Sequence, residues 1–138
     1  MNRDQILARH RVVLEQPDLI TSKPNKVLTP EENEVIWAYV LEVTAGVGRF
    51  YWISDISDLE RLSPTGRTQA AADVLHKLHG LACIGGSFAQ RTIMTVGVRA
   101  AKLLGFNIGA SHVAFFENDA SARVWVNSLR DEARSQSK

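Results

Sequence analysis

Hydrophobic positions along this chain come in blocks, and the blocks change period. "HRVVLEQPDLITSKPNKVLT" (residues 10–29) alternates apolar and polar residues around the turn Gln16-Pro17-Asp18, which predicts two short paired strands. Pro24 cannot donate to a ladder, so the second strand is irregular or at an edge there. "TPEE" then starts a helix. Thr29 caps it, Pro30 suits the first helical position and Glu32 completes a capping box. That helix runs to about Ala45, with Val35, Ile36, Tyr39, Val40 and Val43 on its inner side and Glu31, Glu34 and Glu42 opposite.

"RFYWISDI" (residues 49–56) is a continuous apolar run with a polar end, as in a buried strand. From Thr65 to His79 a helical period returns, with Ala70, Ala71, Val74, Leu75 and Leu78 on one face and Gly80 as its stop. "LACIGG" is a second buried strand, followed by a helix from a Ser87 cap to Gly105. "SHVAFFEN" is a last strand, and a last helix follows, capped by Asn118 or Asp119. The order β-β-α-β-α-β-α-β-α predicts an α/β fold. Its sheet has about five strands, mainly parallel, with an antiparallel pair at the start and helices packed on it.

Composition leaves this picture intact and excludes several functions. The 138 residues suit one domain, divided as an N-terminal extension (1–9), a folded domain (10–130) and a polar tail (131–138) that frays. The formal net charge of +1 is too balanced for nucleic-acid binding by bulk electrostatics. The single cysteine, Cys83, forbids an intrachain disulfide and fits a reducing cytoplasm. "MNRDQILARH" is too polar for a signal peptide, and no apolar run approaches the roughly 20 residues of a spanning helix, so membrane contact is at most peripheral.

The element order, together with "PDLI", "LTPEE", "SDISDLERLSP", "IGGSFAQR" and "FFENDASARVWV", resembles the STAS domain superfamily, in particular its SpoIIAA-like branch. The resemblance covers about His10 to Leu129. It implies a non-enzymatic binding or regulatory module. In the anti-sigma-factor antagonists of this superfamily, an Asp-Leu-Ser after the third strand precedes an Asp-Ser-Ser-Gly whose first serine is a phosphorylation switch. Ungapped from Asp55, this chain places Ser63-Pro64-Thr65-Gly66 there, with Pro64 at the switch position. The SpoIIAA-like branch implies instead a small apolar or lipid-like ligand, in the manner of CRAL-TRIO lipid carriers. A protein-interaction module of the antagonist type is the alternative.

Candidate chemistry gathers at one sheet edge. The helices starting near Ser63 and Ser87 follow parallel strands, so both begin at the carboxyl edge where open α/β sheets take ligands. Helix starts offer free N–H groups and a positive dipole end. Ser63, Thr65, Arg67, Gly85, Gly86, Ser87 and Arg91 together form a candidate pocket for a phosphate or carboxylate head. The same residues also suit simple helix caps and a tight turn. Asp55, at a strand end, is expected to cap backbone groups.

The helix from Ser87 carries an unusually broad apolar arc beside a polar stripe of Arg91, Thr95, Arg99 and Lys102. Met94, Val98 and Ala101 on it, with Trp37 and Leu41 elsewhere, are a candidate apolar or partner surface, for a protein or a second copy. Trp37, Trp52 and Trp125 also fit a core or its edge. His76 and His79 lie three apart with Cys83 nearby, but His76 shares a polar face with Gln69, Asp73 and Lys77, and Cys83 points into a buried strand. No metal or other cofactor is expected. His10 and His112 sit at strand starts with no visible pairing. No nucleophile-base-orienter set can be assembled, so no catalytic residue is named.

Overall fold

The structure is a computed structural model that describes residues 2–62, 69–103 and 113–136, with backbone alone at Leu62, Ala71, Ile93 and 97–103. Five strands form the main sheet: β1 (Val13–Gln16), β2 (Leu19–Ser22), β4 (Phe50–Asp55), β6 (Leu78–Ile84) and β7 (Val113–Phe116). Their spatial order is β1-β2-β4-β6-β7. Only the β1–β2 pair is antiparallel. The mainly parallel α/β sheet predicted from the blocks is the one observed.

Strands β3 (Lys26–Leu28) and β5 (Leu59–Leu62) add a parallel two-stranded ribbon. Neither carries the four to eight alternating residues by which a strand shows itself in sequence, and each exists through its pairing with the other. Between them Asp58 accepts, through its carbonyl, the N–H of Lys26 at 2.9 Å, and Lys26 adopts φ 63°.

Helices α2 (Pro30–Val43) and α3 (Gln69–Lys77) share one sheet face. There Ile36, Trp37, Val40 and Val74 meet Ile20, Phe50 and Leu78 in one buried cluster. Trp37 is only 9% exposed and Leu41 packs against the same cluster, so both belong to the core and not to a partner surface. On the opposite face lies α5 (Asp119–Gln136), capped by Asn118, whose side-chain oxygen accepts the Ser121 N–H at 2.8 Å. Its Ala122, Val126, Leu129 and Ala133 are buried, and the first three pack with Leu19, Tyr51, Ile53 and Ala82. The helix therefore continues to Gln136, into the segment expected to fray.

Two expectations at element ends need correction. Leu78, His79 and Gly80 belong to β6, and α3 stops at Lys77. Gly80 is a mid-strand glycine rather than a helix stop: a Cβ there would lie 2.7 Å from Leu129 Cδ1. Close approach of α5 to the sheet, not a turn, requires it. Residues 3–9 form a further helix, α1 (Arg3–Arg9), closed by a capping box between Asn2 and Gln5 and holding Ile6 in the core.

Candidate functional site

The carboxyl edge of the sheet is assembled from three connections: Lys23–Asn25 after β2, Ile56–Asp58 after β4, and Gly85–Ser87 between β6 and helix α4 (Phe88–Leu103). Backbone pairing extends past the strand ends. Ile56 N–H donates to the Ile84 carbonyl, and Gly85 N–H to that of Phe116, both at 3.0 Å. Gly85 and Gly86 follow with φ 69° and 88°, a conformation that side-chain-bearing residues rarely adopt. A Cβ on Gly86 would come within 3.0 Å of the fully buried Ile56. These glycines make the turn and let the chain close over Ile56.

Ser87 caps α4 reciprocally with Gln90. The Ser87 N–H donates to Gln90 Oε1 at 2.7 Å, and the Gln90 N–H donates to Ser87 Oγ at 3.3 Å. Gln90 Nε2 also donates to the Ser57 and Leu59 carbonyls at 3.0 and 2.8 Å, which fastens α4 to the ribbon strand β5. Gln90 was not among the residues singled out from sequence, although Ser-x-x-Gln before an apolar run is the signal that finds it. Two of the N–H groups at this helix start are thus already engaged by protein.

Charge at the edge is mixed. Asp55 Oδ1 accepts the Ser57 N–H at 3.0 Å and the Ser57 hydroxyl at 2.6 Å, the backbone-capping role expected of it. Lys23 Nζ lies 3.9 Å from Asp55 Oδ2 and 3.6 Å from Asp58 Oδ2. The Arg91 guanidinium sits over the Phe115 ring, 5.8 Å from its centroid, and its buried Nε has no hydrogen-bond partner among the described residues. Gly85, Gly86 and Ser87 form the turn into α4, whose first turn carries Arg91, and Asp55 Oδ1 lies 3.7 Å from where a Cβ on Gly85 would stand. Ser63, Thr65 and Arg67 lie outside the described residues, as do Pro64 and His112.

Helix α4 buries one side and exposes another. Met94 packs against the buried trio Ile56, Leu59 and Cys83, together with Phe115, and stays partly exposed. Side chains at Val98 and Ala101 are outside the description. Among the described residues of α4 the large exposed apolar side chains are Phe88, at 88%, and Val96, at 57%. Leu81 touches both the Met94 cluster and the α2–α3 cluster, yet it is only partly buried although β6 has a neighbour on each side.

Burial pushes the Cys83 thiol up to about 12, which leaves it protonated and unreactive at neutral pH. His76 is exposed, and His79 packs edge-on against Tyr51. Among the described residues no cluster of His, Cys, Asp or Glu is placed to hold a metal.

The fold has a solved counterpart. An uncharacterised protein of the DUF3478 family with a SpoIIAA-like fold, from Shewanella loihica PV-4, superposes with a TM-score of 0.51 at 23% sequence identity, over 83% of this chain and 89% of that one. The chain has a SpoIIAA-like fold. No protein-family model and no curated protein matches the sequence. No described helix is long and apolar enough to cross a membrane.

Proposed function

We propose that this STAS-like module is a non-enzymatic binder of a small amphipathic ligand. Its apolar part would lie against Leu81, Met94 and Phe115, and its anionic head at the start of α4 near Arg91. The incomplete cover over Leu81 carries the reading. A side chain on an inner strand, facing the helix-covered side of a sheet, is ordinarily sealed by protein, and the remaining apolar surface gains free energy when covered, about 25 cal/mol per Å². Arg91 supports the polar end, because its buried Nε lacks an acceptor among the described residues, and a carboxylate or phosphate oxygen would supply one. An isolated anion should bind only weakly there, since Ser87 and Gln90 already satisfy part of the helix start and Asp55 and Asp58 stand nearby.

The test is an NMR titration comparing inorganic phosphate with decanoate. Decanoate should shift the Leu81 and Met94 methyl signals and the amides from Gly85 to Arg91, at concentrations where phosphate does little. If neither probe moves them, the edge is a structural turn and the ligand reading is wrong. A protein partner is the second reading, favoured by Phe88, whose ring is exposed at the same helix start.

A further inference from the structure

Outside this edge, His10 is a buried polar side chain, only 1% exposed, whose ring joins two elements. It is the C-cap of α1. Its carbonyl accepts the Lys23 N–H at 2.9 Å, and its ring Nδ1 accepts the Asn25 N–H at 3.0 Å. Its Nε2 lies 3.1 Å from Glu32 Oε2. A nitrogen that accepts a backbone N–H carries no proton, so the hydrogen-bond network assigns the proton to Nε2, which donates to Glu32. That carboxylate is held in turn by the Thr29 N–H at 3.1 Å and by Arg9 at 3.2 Å. The two ring nitrogens thus serve different elements. One grips the loop after β2, and the other grips the start of α2.

The loop that His10 grips carries Lys23, the cation placed between Asp55 and Asp58. Lys26, at the loop's far end, is tied to the Asp58 carbonyl. We propose that His10 is a positioning residue for the ligand edge: through Asn25 and Lys23 it sets the ammonium that offsets two carboxylates in the path of an anionic head. This rests on the ligand reading above. His10 touches no ligand in this scheme and acts only through the loop.

Two substitutions separate its two bonds. In His10→Asn the shorter amide places its oxygen where Nδ1 stood, so the Asn25 bond is kept and the Glu32 bond is lost. In His10→Gln the longer amide reaches Glu32 and leaves Asn25 without an acceptor. Expected for H10Q is hydrogen exchange at the Asn25 amide faster by about tenfold or more, and decanoate binding weaker by roughly threefold to tenfold at low salt. H10N should stay near wild type in both. The affinity loss should fade at about 0.5 M salt, where exposed charges are screened. Lys23→Met leaves the His10 network intact and should reproduce the affinity loss, so it serves if either histidine variant does not fold. Equal behaviour of H10N and H10Q, a salt-independent loss, or an unaltered K23M overturns the proposal. If wild type does not bind decanoate at all, the ligand reading fails. The tether is then judged separately by Asn25 exchange in H10Q against H10N.

Discussion

Helices α2 and α4 begin with the same reciprocal exchange, Thr29 with Glu32 and Ser87 with Gln90. In each, a hydroxyl residue takes the N–H three positions on, and the side chain from that position returns to the cap. Around α2 the side chain that returns to the cap is covered: Glu32 is buried and also holds His10 and Arg9. Around α4 it faces solvent: Ser87, Phe88 and Ala89 are exposed, and Gln90 spends its spare donor on two carbonyls of the β4–β5 connection and β5. Equal local devices thus have unequal consequences. A carboxylate under cover must be matched bond for bond, whereas an amide at the surface can be replaced by water. The sealed start is a structural joint, and the open one leaves room for a ligand or partner.

The comparison breaks most visibly on truncation. Glu32→Ala removes the acceptor for His10, Arg9 and the Thr29 N–H inside the protein, and should cost about 3–4 kcal/mol. Gln90→Ala loses a cap and two carbonyl contacts near solvent, and should cost about 1–2 kcal/mol. Urea unfolding of both variants measures the difference. Equal losses would mean that burial does not distinguish the two starts.

Acid sharpens the comparison next. Burial works to raise the Glu32 carboxyl, but hydrogen bonds from Thr29 and His10 outweigh it and hold the group below its ordinary 4.5. A depressed carboxyl contributes stability that is complete above its unfolded value and is lost as pH falls through the lower folded one. Stability should therefore fall with decreasing pH below about 4.5. Glu32→Gln, less stable throughout, should show a shallower slope in that window. A parallel slope in urea midpoints taken from pH 5 to 3 would remove Glu32 from the account.

The smallest effect belongs to Phe88. A ring 88% exposed contributes little to folding, so Phe88→Ser should change stability by no more than about 0.5 kcal/mol. Thermal melts check this. A larger loss would show that the ring is covered in solution, by a partner copy or by the chain itself.

Much of the scaffold was legible before any coordinates. "TPEE", "RFYWISDI" and "LACIGG" announced a capped helix and two buried strands because the local period and cap chemistry are carried by neighbouring residues. Trp37 and Leu41 were harder, since an apolar arc does not say whether a second helix covers it. At the candidate edge, Gly85, Gly86, Ser87 and Arg91 were foreseen from the parallel order of strands. Phe88 was not, because exposure of an aromatic has no signature in spacing. Nor was the ribbon of β3 and β5, whose few residues pair across a long separation.

By itself the sequence determined the succession of the main-sheet strands and the helices packed on them, the mainly parallel sheet and the start of α4 at its carboxyl edge. These follow from periodicity, capping residues and the short range of backbone hydrogen bonding. Tertiary structure alone decided that His10, without a visible partner along the chain, joins Glu32 and Asn25, and that one capping box is buried while its twin is open. The physical reason is common to both. Burial and charge pairing depend on distances set by the packing of whole helices on a sheet, and no window of neighbouring residues contains them.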